Sequence, residues 1–247
     1  MSKVIIMGLG EIGKALNELC VEAKHNIKIV EKDWNDTLDW ISCDFLLVNI
    51  PYSKEFITEI ARIVHSVKPG MIVINSTIPL GTTRKVAVHT RVPTIHSPVR
   101  GVHPRLKEGL LTFVKYVGSS NKKSSLLACD FFKTLGIKTR VFNNPEETEL
   151  AKLLCTTTYG VYIAWATEVK RICDEEGLCF ENVYTDLTRT YNQGYIKLGM
   201  DDVVRPVLKP CENGFGGHCV FENSQLLKGV MHEEWKIHID KIGKAKK

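Results

Sequence analysis

Over roughly the first 140 residues, short apolar runs alternate with stretches whose apolar positions recur at helical spacing. Residues 3–7 form an apolar run that ends in glycines, 12–22 carry apolar residues three and four apart, and 27–30 are again strand-like. Residues 45–50 are wholly apolar and stop at Pro51. The pattern predicts helices over 57–67 and 124–135, and strands over 71–76, 92–96, 112–117 and 138–142. This alternation of strand and helix predicts an α/β fold, with a parallel sheet covered on both faces.

The character changes near residue 143. Asn144, then Pro145 at a first helical position, then Glu146 and Glu147 make a strong helix start, and the apolar spacing that follows carries the helix to Gly177. Thirty residues of helix span about 45 Å. Such a helix either crosses a second lobe or forms a subunit interface. The chain thus divides into a Rossmann-type domain, 1–143, and a smaller helical domain, 144–247, with one long helix. Its apolar surface over 146–176 exceeds what a lobe of this size can cover, so a homodimer through this helix is expected. A second helical region at 180–195, a Pro/Gly-rich loop at 205–217 and a last short helix at 224–231 complete the reading.

The first run leads into Gly8-Leu9-Gly10-Glu11-Ile12-Gly13. Three glycines between a strand and a helix have distinct tasks in a dinucleotide-binding turn. The first permits the tight turn, the second lets backbone approach a diphosphate, and the third lets helix and strand pack closely. The amides and dipole of the helix start then hold the phosphates. Glu31, at the end of the next strand-like run, is placed to accept hydrogen bonds from the adenosine ribose and to repel a 2′-phosphate, which favours NAD over NADP. Lys32 beside it works against that preference. The candidate cofactor residues are Gly8, Gly10, Glu11, Ile12, Gly13, Glu31, Lys32, Pro51 and Thr77.

Charge and composition narrow the classes. The formal net charge is +5, part of it in residues 236–247, which read as a solvated, frayed end. No aromatic residues interleave that basic tail as a nucleic-acid arm would have. No apolar run approaches the roughly 18–20 residues that span a bilayer, and the N-terminus does not read as a signal peptide. None of the eight cysteines forms a CxxC pair, and several sit in apolar patterns. That suits a reducing, cytoplasmic compartment without a zinc site or a disulfide framework.

Four further segments carry a resemblance. They are Asn75-Ser76-Thr77-Ile78-Pro79-Leu80-Gly81-Thr82-Thr83; His96-Ser97-Pro98-Val99-Arg100; Glu149-Leu150-Ala151-Lys152-Leu153 with the later Ile163-Ala164-Trp165-Ala166-Thr167-Glu168; and Gly214-Phe215-Gly216-Gly217-His218-Cys219. In this order they resemble the UDP-glucose/GDP-mannose dehydrogenase family. That family oxidises a nucleotide-sugar alcohol to an acid in two NAD-dependent steps, through a thiohemiacetal and a thioester on a cysteine. The resemblance implies Cys219 as nucleophile and Lys152 as oxyanion stabiliser. Thr77 would orient a water near the nicotinamide, with Thr156 and Asn223 at the remaining polar positions. The plainer alternatives are a structural Cys219, an interface Lys152 and a turn-closing Thr77.

Several positions depart from the family. Thr156 stands where the family has Asn, Val99 where it has Glu, and Asn223 where an acid would activate the hydrolytic water. An amide orients a water but cannot take its proton. About 28 residues follow Cys219, too few for the family's third, nucleotide-holding domain. Three hypotheses follow: an NAD-dependent dehydrogenase acting on a sugar nucleotide or a smaller alcohol; a non-catalytic NAD-binding module; and a β-hydroxyacid dehydrogenase-like enzyme that uses Lys152 and leaves Cys219 idle.

Overall fold

The structure, a computed structural model, describes residues 1–31, 42–101, 104–211 and 218–244; for 218, 219, 238, 239 and 241–244 the description is limited to the backbone. The chain divides into two compact units, Met1–Lys152 and Leu153–Lys247, with the boundary inside the long helix.

The first unit is a Rossmann-type α/β sheet. Its strands are β1 (Lys3–Met7), β2 (Asn26–Val30), β3 (Ser42–Val48), β4 (Lys68–Ile74), β5 (Thr94–His96), β6 (Lys115–Gly118) and β7 (Thr139–Phe142), in the spatial order β2-β1-β3-β4-β5-β6-β7. All pairs are parallel except β5 with β6, which meet antiparallel at His96 and Gly118. The sheet is thus mostly parallel, as expected, with that one antiparallel pair. The segment between those strands carries a short helix and brings β6 back without a full crossover.

Helices α1 (Glu11–Glu22), α2 (Phe56–Ser66), α3 (Thr82–Thr90), α4 (Leu106–Thr112) and α5 (Lys122–Thr134) connect the strands. Successive strand residues feed two separate cores. Val4, Ile6, Phe45, Leu47, Met71 and Val73 pack with Leu16, Leu19, Phe131 and Phe132. Ile5, Leu46, Val48, Ile72 and Ile74 pack with Phe56, Ile60 and Ile63. That is why β1, β3 and β4 read as continuous apolar runs and not as alternating ones. Cys20 and Cys43 belong to these cores, and burial pushes both thiols up to about 12.

Two helices escape the apolar pattern. In α3 only Val86 contributes a buried aliphatic side chain. Helix α4 ends at Thr112, so the strand expected from 112 starts only at Lys115.

Helix α6 (Pro145–Glu175) is the long helix of the sequence reading. Asn144 Oδ1 accepts from Glu146 N at 3.1 Å, the expected cap, and Gly177 with φ +67° follows its end. In the second unit a π-helical segment, Glu181–Asp186, runs into α7 (Leu187–Lys197). A 3₁₀ turn (Asp201–Val203), α8 (His218–Lys228) and α9 (Glu233–Lys244) follow. The short helix expected over 224–231 corresponds to α8, which starts earlier, and α9 covers part of the tail expected to be frayed, helical to Lys244. Among the described residues, no helix is long and apolar enough to cross a membrane.

Candidate active site

The carboxyl ends of β1 to β4 lie at one edge of the sheet, and the chain changes direction between β1's two neighbours, β2 and β3. A crevice at such a point is where open α/β sheets bind ligands.

Gly8, Gly10 and Gly13 meet there in three different ways. Gly8 has φ +87°, its N–H continues the ladder to Val30 O at 2.8 Å, and a Cβ on it would stand 2.8 Å from Ile50 Cγ2. Gly13 packs so closely that a Cβ would lie 2.0 Å from Gly8 O. Around Gly10 a Cβ would meet nothing within 4 Å. Gly10 therefore borders open space beside the first turn of α1, whose leading residues are Glu11 and Ile12. The amides at a helix start and the helix dipole favour an anion.

Glu31 follows β2 at the same edge. One of its carboxylate oxygens accepts from Leu9 N at 2.8 Å, which closes the glycine turn. Lys32 lies outside the described residues. Pro51 is exposed just past β3, and Thr77 is half-buried just past β4.

A set of side-chain bonds ties these strand ends together. Asn49 donates to Leu47 O at 3.1 Å and Met7 O at 3.4 Å, and accepts from Asn75 Nδ2 at 3.0 Å. Ser76 Oγ donates to Ile50 O at 2.6 Å. Buried Asn75 Oδ1 has no hydrogen-bond partner among the described residues. At the next turn Gly81 N and Thr83 N donate to the Glu149 carboxylate at 2.5 and 2.8 Å, and Thr83 Oγ1 at 2.6 Å. Burial raises the Glu149 carboxyl above its usual range, against those three bonds that lower it.

The segment after β5 is laced by cations that bond to backbone. Lys115 Nζ donates to Ser97 O at 2.6 Å, Lys152 Nζ donates to Val99 O at 2.9 Å, and Arg100 donates to Val114 O while its guanidinium stacks 4.2 Å from the Tyr116 ring. Lys115 is buried, and desolvation, then the charges of Lys152 and Arg100, push its ammonium well below the usual lysine range.

In the second unit, Thr156 Oγ1 donates to Leu153 O at 3.3 Å and accepts from Asn223 Nδ2 at 3.1 Å. Asn223 is buried. Cys219 falls in the first turn of α8, not in a loop; its side chain, and those of His218 and residues 212–217, lie outside the description. The structure thus groups Gly8, Gly10, Gly13, Glu31, Pro51 and Thr77 at one sheet edge, and pairs Thr156 with Asn223.

Sequence reasoning named Asn75, His96 and Glu149 only within the resembling segments and gave them no role of their own, and it passed over Asn49 and Lys115. Their signal is faint, since each is a polar residue inside or beside an apolar run whose partners are distant in sequence.

No family model matches the chain. Curated relatives do. The UDP-N-acetyl-D-mannosamine dehydrogenase of Methanococcus maripaludis is 31% identical over 158 residues, 62% of this chain and 34% of that protein. The enzyme of that name from Pyrococcus horikoshii is 25% identical over 198 residues, 76% of this chain and 44% of the other. The chain spans between about a third and somewhat under half the length of these relatives. The resemblance to sugar-nucleotide dehydrogenases therefore holds over most of this chain.

Among solved structures, a UDP-D-ManNAc dehydrogenase from Pyrococcus horikoshii superposes with a TM-score of 0.77 at 17% identity, covering 98% of this chain and 68% of that one. A 3-hydroxyisobutyrate dehydrogenase from Mycobacterium tuberculosis, with L-serine, gives 0.72 at 15% identity and covers 99% and 93%. These likenesses establish the dehydrogenase fold.

Proposed function

We propose that this chain binds NAD at the carboxyl edge of β1 to β4 and oxidises an alcohol on a sugar nucleotide or a smaller molecule. The observation that carries the reading is the glycine turn. Gly8 and Gly13 are sterically obligatory within the fold, while a Cβ on Gly10 would meet none of the described residues. A diphosphate against Gly10, Glu11 and Ile12, with Glu31 at the adenosine ribose, takes that position. Lys32, Pro51 and Thr77 complete the cofactor set.

When bound, the nicotinamide accepts the hydride. In this reading the Lys152 ammonium steadies the alkoxide charge, a task suited to a cation already anchored on Val99 O. Cys219 would add to the aldehyde through its thiolate. Thr77 and Thr156 would position water or substrate through their hydroxyls. Asn223 holds a water in place but cannot take its proton. With no base to hydrolyse a thioester, the Cys219 adduct would collapse instead, its C–S bond breaking and the thiolate leaving, and the aldehyde would depart after one oxidation.

The test is NADH formation across a panel of sugar nucleotides and small hydroxy acids, comparing wild type with Cys219→Ala. Absence of both turnover and calorimetric NAD binding refutes the proposal. NAD binding without turnover on any member selects the non-catalytic module.

A second reading rests on the match to the 3-hydroxyisobutyrate dehydrogenase, which covers nearly the whole of both chains. Lys152 would then be the acid/base and Cys219 a bystander. Full activity of Cys219→Ser on a small hydroxy acid distinguishes it.

The second unit also suits a homodimer. Tyr162, Trp165, Val183, Tyr184 and Leu187 line a groove of about 580 Å³, and Trp165 and Leu187 are 58% and 61% exposed. A second copy covering this face removes that apolar surface from water. The unpaired thiols of Cys129, Cys155 and Cys179 agree with a reducing, cytoplasmic setting.

A further inference from the structure

We infer that His96 is a positioning residue for the nicotinamide half of the cofactor cleft, fixing the Ser76–Thr77 peptide in the orientation that presents Thr77. The inference rests on the NAD reading given above.

His96 ends β5 and is fully buried. Its Nε2 lies 3.2 Å from Ser76 O, and its Nδ1 lies 2.8 Å from Thr148 Oγ1. A carbonyl only accepts, so Nε2 carries the proton and Nδ1 accepts from the Thr148 hydroxyl. That hydroxyl is also 2.8 Å from Pro145 O, and its single proton serves one acceptor at a time. The neighbour across the sheet accommodates this arrangement. Gly118 pairs with His96, and a Cβ there would stand 2.3 Å from Thr148 Oγ1. Only glycine at 118 lets Thr148 reach the imidazole.

The carbonyl that His96 holds belongs to the peptide leading into Thr77. The same residue, Ser76, donates its hydroxyl to Ile50 O, next to Pro51. His96 and Ser76 therefore fix the two loops that leave β3 and β4. The sheet order says which part of a dinucleotide meets them. From β2, where Glu31 sits, to β4 is three strand spacings, on the order of 14 Å. With the adenosine ribose at Glu31 and the diphosphate at Gly10, the far nucleoside reaches the end of β4. Burial also lowers the imidazole to about 3, so it stays neutral at working pH. A neutral ring that donates to a backbone carbonyl positions that carbonyl and does not exchange protons with substrate.

The test uses the full chain and calorimetric affinities for NAD and for ADP-ribose, which lacks the nicotinamide. His96→Phe removes both hydrogen bonds at similar volume. It is expected to weaken NAD about tenfold, the worth of about one buried hydrogen bond, and to leave ADP-ribose within about twofold. His96→Gln, which restores a donor toward Ser76 O, recovers most of the NAD affinity. Thr148→Val keeps the imidazole but removes its orienting partner, and gives a smaller loss confined to NAD; it decides the matter if His96→Phe does not fold. Equal losses for NAD and ADP-ribose, or no loss for either, overturn the assignment. Wild type that binds ADP-ribose but not NAD also overturns it. Wild type that binds neither refutes the cofactor reading itself, and the assignment falls with it.

Discussion

Asn223 donates its side-chain amide to the Thr156 hydroxyl across 3.1 Å, so two of the residues proposed for the site touch each other. An acid at 223 would accept from a hydroxyl or an amide at 156. An amide at 223 needs an acceptor, and Thr156 Oγ1 supplies one while its proton goes to Leu153 O. The two residues make one self-consistent hydrogen-bonded pair, and neither side chain of the pair is itself a base.

The consequence is a stoichiometry. Wild type is expected to release one NADH per substrate oxidised. Asn223→Asp fits the same space, accepts a hydrogen bond from the Thr156 hydroxyl, and supplies a group able to activate water, an effect typically worth about 100-fold or more in rate. Endpoint titration against limiting substrate should move from one NADH toward two. Two equivalents from wild type would show that Asn223 is no block.

The three glycines predict a separation of stability from binding. Gly13→Ala puts a Cβ 2.0 Å from the Gly8 carbonyl oxygen, a backbone atom that cannot swing away. It should cost more than about 2 kcal/mol in denaturant unfolding. Gly10→Ala meets no atom of the described residues and fills only the space proposed for the diphosphate. Its unfolding midpoint should stay near that of wild type while NAD affinity falls at least about tenfold. Normal NAD binding by Gly10→Ala would remove the main support for the phosphate position.

The glycine turn and the main strands were legible because both obey local rules: three glycines at fixed spacing, and apolar runs bounded by turns. What escaped is non-local. The hydrogen-bonding partner of His96 Nδ1 is 52 residues away, and that of Lys115 is 18 away. Nothing in the pattern says that a lysine inside an apolar strand turns its amine onto a backbone carbonyl. Helix α3 begins where Glu149, from more than 60 residues downstream, satisfies its first amides. A mostly polar stretch gives no periodic trace of that cap. The antiparallel turn between β5 and β6 likewise depends on where the chain goes after Arg100, not on the composition of either strand.

Burial of His96 predicts an acid-sensitive fold. Its folded-state value, about 3, lies below the ordinary 6.5, so the unfolded chain binds the extra proton between those limits. Stability from this group is complete above about pH 6.5 and is lost as pH falls toward 3. From pH 7 to pH 5 the loss should be about 2 kcal/mol. Urea unfolding of wild type and His96→Gln at both values checks it. The variant should lose clearly less over that interval, and equal losses would contradict a neutral buried imidazole.

Lys115 gives the complementary case at alkaline pH. Its folded value is depressed, so the unfolded state again binds more protons, now between the folded value and about 10.4. Its contribution to stability therefore rises with pH across that window, and at neutral pH the buried amine is a net cost. Lys115→Met keeps the stem and removes the titratable amine, at the expense of one donor to Ser97 O. Replacing a buried charge by an apolar group of similar volume is often neutral or stabilising by about 1–4 kcal/mol. The variant should equal or exceed wild type in unfolding free energy at pH 7, and lose that advantage by pH 10. Should it instead unfold more easily at pH 7 by more than about 2 kcal/mol, the hydrogen bond to Ser97 O outweighs the desolvation of the ammonium, and the segment Ser97–Arg100 depends on that lysine for its conformation.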